Sequence, residues 1–124
     1  MSKFFLCTHC GNLVELVREG GGRLVCCGDP MLELTANSTD ASQEKHVPVV
    51  SVDGTTVHVA VGSAAHPMTE EHFIQWIYLL TEHGCQRKRL APGDKPEADF
   101  ILTDDRPVAA LAYCNLHGLW KKDI

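Results

Sequence analysis

The chain has 124 residues, enough for one ordinary domain or for a very small one joined to a modest one. Its charged fraction of 22% suits a globular protein, while a net charge of −5 works against the basic surface that phosphate contacts need, so no nucleic-acid partner is expected. No apolar run approaches the roughly 20 residues that span a bilayer, and "MSKFFLCTHC" runs straight into cysteines without a signal-peptide core, so no membrane partner and a cytoplasmic location are expected.

Residues 1 to 36 hold four of the six cysteines, two β-like runs ("NLVELVRE" and "GRLVCC") and a "GGG" turn between them. A hairpin-rich unit of this size falls below the ~40 residues at which an apolar core usually suffices, so it needs a metal or a partner subunit to stay folded. In a reducing compartment its thiols point to metal or redox chemistry in preference to disulfides. "NSTDASQ", Asn37 to Gln43, is polar and aperiodic and is read as a linker.

From Glu44 to Ile124 the chain reads as short β-rich segments broken by turn signals: "HVPVVSV", "DG", "TTVHVAVG", "HFIQWIYLL", "RKRLAPGDKPEA", "DFILT", "DDRP" and "VAALAYC". Val57, Val59 and Val61 alternate with polar or small residues, and the whole pattern predicts an antiparallel β-sandwich. In "TEEHFIQWIYLL", Thr69 resembles a helix cap, but the β-branched and aromatic residues after His72 favour a strand entered through one helical turn. "QRKRL", with Arg87 to Arg89, is the only basic cluster and is read as a solvated turn.

Cys7 and Cys10 form C-x-x-C, and Cys26 and Cys27 are adjacent beyond the glycine turn. Four thiolates surround one tetrahedral ion, a geometry open to zinc or to a single iron. Two neighbouring residues aimed at one ion put strain on the local backbone. His9, inside the "CTHC" knuckle, is expected to be exposed, not a ligand.

A second group of metal-ligating residues sits at segment ends: His46 in "EKHVPV", His66 and His72 in "HPMTEEH", and Cys114 with His117 in "CNLHG". Side chains from different strands converge at such ends. Four imidazoles and one thiolate overcrowd the four-coordinate site that structural zinc adopts and suit iron, copper or nickel with a position left open for a small ligand. A copper electron carrier would use two histidines, a cysteine and an axial methionine, yet the nearest methionine is Met68, far upstream of Cys114. His58 and His83 are left out of the set.

In this order, "CTHC", "CCG", "EKHVPV", "HPMTEEH" and "CNLHG" resemble desulfoferrodoxin, the two-iron class of superoxide reductase. The resemblance covers nearly the whole chain. It implies an all-β protein in which a desulforedoxin-like domain, residues 1–36, holds iron in Cys7, Cys10, Cys26 and Cys27, with zinc a possible occupant. An immunoglobulin-like sandwich, residues 44–124, would hold a catalytic iron by equatorial His46, His66, His72 and His117 and axial Cys114. The implied reaction is one-electron reduction of superoxide to hydrogen peroxide, with Lys45 steering the anion and Glu44 acting as a gate at the metal. A small electron donor such as rubredoxin is the family's usual partner, and the Arg87 to Arg89 cluster is a candidate docking site for it. A homodimer is expected because the small domain cannot bury its own strands. Two rival functions are a non-catalytic iron or copper electron-transfer protein and a zinc-stabilised binding module.

Overall fold

The computed structural model describes residues 2–124. The chain divides into two compact units, one ending at Thr35 and the other running from Ala36 to Ile124.

In the first unit, strands β1 (Lys3–Leu6), β2 (Leu13–Leu16) and β5 (Leu32–Glu33) form an antiparallel sheet with β1 in the middle. Strands β3 (Val25–Cys26) and β4 (Asp29–Pro30) pair as a minimal hairpin. The apolar residues are too few to close a core. Phe4 and Cys7 are the only buried residues among those described in this unit. Cys27 adopts a left-handed φ of 53° with Gly28 at 81°, a conformation that costs a non-glycine residue energy. This is how two consecutive cysteines come to face one centre, and it places the expected strain at Cys27.

The second unit opens with a single helical turn, α1 (Gln43–His46). Strands β6 (Pro48–Asp53), β7 (Thr56–Val61) and β10 (Glu97–Ile101) make one sheet, in the order β10-β7-β6. Strands β8 (Ile74–Thr81), β9 (Cys85–Arg89), β11 (Pro107–Cys114) and β12 (Gly118–Asp123) make the other, in the order β12-β11-β8-β9. Every pairing is antiparallel. The alternating Val57, Val59 and Val61 bury their side chains against Ile74, Ile77, Leu79, Phe100, Ala110 and Ala112, and Cys114 belongs to the same core. An all-β sandwich is therefore what the alternation builds, because period-two apolar residues line one face of each sheet.

Two local features differ from the sequence reading, and a third bears on the residues read as a linker. Thr69 starts no helical turn: Thr69 and His72 exchange backbone hydrogen bonds of 3.0 and 3.2 Å, and the Thr69 hydroxyl sits 3.1 Å from the His72 N–H, closing a tight loop before β8. Arg87 to Arg89 lies in β9, the outermost strand of its sheet, where charged side chains discourage pairing with another edge. Asn37 lies inside the second unit. Its side chain receives the Lys121 N–H at 2.8 Å and donates to the Lys121 carbonyl at 3.0 Å, alongside β12.

At one end of the sandwich Asp105 ties two loops together. Its carboxylate accepts from the Thr81 hydroxyl (2.6 Å), the Arg106 N–H (2.8 Å) and the His83 N–H (3.2 Å). The Thr81 hydroxyl first, then the Arg106 and His83 amides, hold its carboxyl below the ordinary value. A carboxylate with a depressed folded-state pKa stabilises the fold above its unfolded-state pKa, and the contribution disappears as pH falls through the depressed value. Asp105→Ala should therefore lower the melting temperature at neutral pH, and the gap to the parent should close in acid; a gap independent of pH would assign the effect to packing.

Candidate metal centres

The four thiols of the first unit come together where β1 and β3 end. All four sulfurs lie within 4.8 Å of one another, with Cys10 Sγ 3.7 Å from Cys26 Sγ and Cys26 Sγ 4.0 Å from Cys27 Sγ. A tetrahedron with metal–sulfur bonds of roughly 2.3 Å has edges of about 3.8 Å, so the spacing fits one tetrahedral ion. The knuckle is shaped by the Cys7 N–H donating to the Asn12 carbonyl (2.8 Å) and the Gly11 N–H to the Cys7 carbonyl (2.9 Å).

Packing four thiols so closely splits their acidities. The Cys10 N–H, donating to its sulfur, lowers Cys7 to about 6, while the neighbouring Cys10 and Cys7 sulfurs push Cys27 up to about 12. The cluster resists full ionisation until a cation neutralises it. His9 pairs with Asp29 and is half-exposed, outside the sulfur cluster.

The second cluster lies at the end of the sandwich where β11 finishes. His46 is the last residue of α1, His66 and His72 sit on the stretch between β7 and β8, and Cys114 and His117 flank the β11–β12 turn. The four imidazoles form a square. Neighbouring ring centroids are separated by 4.6 Å (His46–His66), 4.6 Å (His66–His72), 5.1 Å (His72–His117) and 5.0 Å (His46–His117), while the His46–His72 diagonal is 6.4 Å.

His46 Nε2 lies 3.1 Å from His66 Nε2 and 3.2 Å from His117 Nδ1. Nitrogens at adjacent corners of a square plane with bonds of roughly 2.1 Å are about 3.0 Å apart, so the imidazoles are spaced for one ion at the centre. The Cys114 sulfur is 3.9 Å from His117 Nδ1 and within 4.8 Å of the ligand atoms of His46 and His72 at opposite corners. With the corners taken by imidazoles, the sulfur caps the square.

The chemistry of the donors agrees with a bound cation. Ser42 and Pro67 carbonyls each lie 2.6 Å from the Nδ1 of His46 and His66 respectively, fixing the N–H there and leaving both Nε2 atoms free to coordinate. Burial holds His46, His66 and His72 below the ordinary histidine value, His66 down to about 4, so they remain neutral, the form that binds metals. His72 Nε2 is buried with no hydrogen-bond partner among the described residues. Leaving such an atom bare costs roughly 1–3 kcal/mol, which a metal bond would recover. Burial raises the Cys114 thiol, opposed by the N–H groups of Leu116 and His117. A cation is again what makes it a thiolate.

Trp120 supports the square from one side. Its indole stacks on the His46 ring at 4.8 Å, and its Nε1–H donates to the His117 carbonyl at 3.1 Å. The remaining histidines of the unit are engaged elsewhere, His58 with Asp99 and His83 with Asp105. Cys85 is exposed at the start of β9 and belongs to neither cluster.

A family profile described as Desulfoferrodoxin matches residues 38–123, and one described as Desulfoferrodoxin, N-terminal domain, matches residues 2–34. The chain belongs to the desulfoferrodoxin family. It is 51% identical over 117 residues to a desulfoferrodoxin homolog of Archaeoglobus fulgidus, covering 94% of this chain and 93% of that one. The crystal structure of the superoxide reductase from Treponema pallidum superposes with a TM-score of 0.84 at 40% identity, covering 99% of both chains. A superoxide reductase (1Fe-SOR) from Giardia intestinalis aligns with 65% of this chain and 97% of its own at a TM-score of 0.57 and 34% identity. The four-sulfur and the imidazole–thiolate clusters match the two iron centres of desulfoferrodoxin.

The residues that sequence reasoning passed over are those that aim the ligands: the Ser42 and Pro67 carbonyls and Gly62. A Cβ on Gly62 would lie 2.6 Å from the Glu44 carbonyl oxygen and 2.9 Å from that of Val47. The same turn gives the Ala64 N–H to the Glu44 carbonyl at 2.8 Å, and the His66 N–H reaches back to the Val61 carbonyl at 2.9 Å. Gly62→Ala should force α1 away and cost about 1–3 kcal/mol. Metal analysis should then find fewer than two irons per chain, with the visible spectrum of the four-thiolate centre retained; full occupancy of both centres would show that the backbone yields without moving His46.

Proposed function

We propose that the protein is a superoxide reductase that transfers one electron to superoxide at the imidazole–thiolate centre. With two protons from water, the product is hydrogen peroxide. The observation that carries this reading is the square of four imidazoles capped by one thiolate: five donors leave one coordination position for a small ligand, whereas a site built only to carry electrons needs none. Iron bound there supplies the reducing electron and, once oxidised, is reset by an outside donor.

His46, His66, His72 and His117 would hold the metal in this reading, and as neutral imidazoles they would leave its positive charge undiminished to attract an anion. Cys114 would hold the metal from the capping position, where its thiolate would enrich the metal in electron density, the push that cysteine also gives haem iron. Cys7, Cys10, Cys26 and Cys27 hold the second iron, or zinc where zinc is in excess.

Lys45 is proposed to steer and hold superoxide. Its ammonium disfavours protonation of both His46 and His72, so its field reaches two corners of the square. In a chain with a net charge of −5, such a local positive field offsets the overall repulsion of an anion. Glu44, next to it, is proposed to close the open position after oxidation. Its carboxyl is held below the ordinary range, first by its own backbone N–H, with Lys45 contributing, so it is available as an anion.

The wider assignment follows the same reading: detoxification of superoxide in the cytoplasm, electron transport from a donor such as rubredoxin, and a homodimer. The domain division proposed is a four-thiolate domain to residue 36, a linker over 37–43 and a catalytic domain from Glu44. No helix among the described residues is long and apolar enough to cross a membrane.

Metal analysis with visible spectra, followed by mixing of the reduced protein with a superoxide pulse, tests the reading. Two irons per chain and a rapid, superoxide-dependent oxidation of one of them are expected; electron exchange without superoxide turnover would mark a carrier, and a colourless zinc protein a binding module. Lys45→Ala should slow the second-order capture of superoxide about tenfold, within the range that electrostatic steering supplies, and flatten its salt dependence. Glu44→Ala should leave capture close to the parent's and change the spectrum of the resting oxidised centre; a collapse of capture would give Glu44 a larger role than gating.

A further inference from the structure

The four imidazoles are not aimed in the same way. His46 and His66 are each oriented by a carbonyl on the remote ring nitrogen, Ser42 and Pro67 respectively. The rings of His72 and His117 make no bond to a carbonyl or carboxylate among the described residues. These two rings are neighbours in the square, at 5.1 Å. Among protein groups, the contacts that set this edge lie in the main chain around the two rings.

The side chain between the two sequence segments is Asn115, which follows Cys114 directly and precedes His117 by two. Its Oδ1 accepts the Phe73 N–H at 3.0 Å and its Nδ2 donates to the Glu71 carbonyl at 2.9 Å. One amide thus grips the main chain on both sides of His72. The Asn115 N–H adds a third bond, 3.3 Å to the Phe73 carbonyl. Only one orientation of the amide satisfies both side-chain bonds, so the group has no alternative setting.

The grip falls where regular pairing stops. Between β8 and β11 the register slips between Tyr113, which faces Trp76, and Cys114, which faces Ile74. Beyond that slip no further ladder pair of these strands holds the His72 loop to the cysteine turn, and the Asn115 bonds carry the connection instead. The Thr69–His72 bonds close the loop on itself, and the Ile74 N–H reaching Met68 Sδ at 3.4 Å ties its start to β8, but none of these bonds reaches the Cys114–His117 turn.

We propose that Asn115 is a positioning residue of the imidazole–thiolate centre, welding the His72 loop to the Cys114–His117 turn so that one edge of the square and the axial sulfur are set together. It touches neither metal nor substrate. The proposal rests on the reading of His72, Cys114 and His117 as ligands of one iron.

The test compares the parent with Asn115→Ala and Asn115→Asp, all as full chains carrying both irons. Aspartate keeps an acceptor for the Phe73 N–H but turns an oxygen towards the Glu71 carbonyl, so it removes one bond while preserving shape. Chelator competition should show iron affinity at the imidazole centre falling about 10–100-fold in the alanine variant, the range seen when outer partners of metal ligands are removed, and falling in the same direction in the aspartate variant. The sulfur-to-iron absorption of that centre should shift or broaden, while the four-thiolate spectrum in the same molecule stays as in the parent. A residue that merely stabilises the fold would lower the melting temperature and leave the band and the affinity alone. Unchanged affinity and band in both variants would overturn the proposal, as would an unchanged aspartate variant if the alanine variant fails to fold. A parent chain that binds no iron at the imidazoles would overturn the functional reading and this inference with it.

Discussion

Four neutral imidazole nitrogens at about van der Waals distance, with lone pairs aimed at one point, repel one another unless a cation occupies that point. The nitrogen spacings of 3.1 and 3.2 Å around His46 and the bare Nε2 of His72 are that constraint in geometric form. The sandwich exists in a shape that tolerates it. Rigid strands deliver Cys114 from inside the apolar core, and the more adaptable connections bring the histidines around it.

The division of labour between strands and loops has an energetic logic. Cys114, buried with Ile74, Ile77 and Ala112, cannot move without disturbing the core, which makes the sulfur the fixed reference of the centre. Two of the imidazoles are then placed by local contacts: α1 is crowded against Gly62 and Trp120 lies flat on His46, while the His66 N–H is bonded to the Val61 carbonyl. A site assembled this way requires little rearrangement when the metal binds. The same feature confines disturbance, since a change in one connection reaches one or two corners, not all of them.

Much of this was legible in the sequence because two kinds of signal are intrinsically local. The valines at 57, 59 and 61 announce a strand through period two alone, and C-x-x-C, adjacent cysteines and the cysteine–histidine turn announce ligands through residue type and spacing. What stayed hidden is what depends on distant chain. Nothing near Gln43 marks α1, whose four residues are held by Gly62 and Ala64 from the following hairpin. Thr69 carries the signature of a helix cap, yet its hydroxyl serves a closed loop because His72 must turn inward. Arg87 to Arg89 reads as a turn on charge alone; its place on a sheet edge follows from pairing with Tyr78, Ile77 and Trp76, which no local pattern encodes. Asn115 is an ordinary turn residue by type, and only the backbone it grips gives it meaning.

The scarcity of buried side chains in the first unit, where Phe4 and Cys7 stand alone among the described residues, has a consequence for the life of the molecule. A unit without a core of its own depends for its folding on the ion or on a partner subunit, and the ion's share grows with the logarithm of free-metal concentration. Without the ion this segment would be the first to open, whereas the second unit keeps a core of a dozen buried residues. Metal supply would thereby bear on the lifetime of one end of the chain.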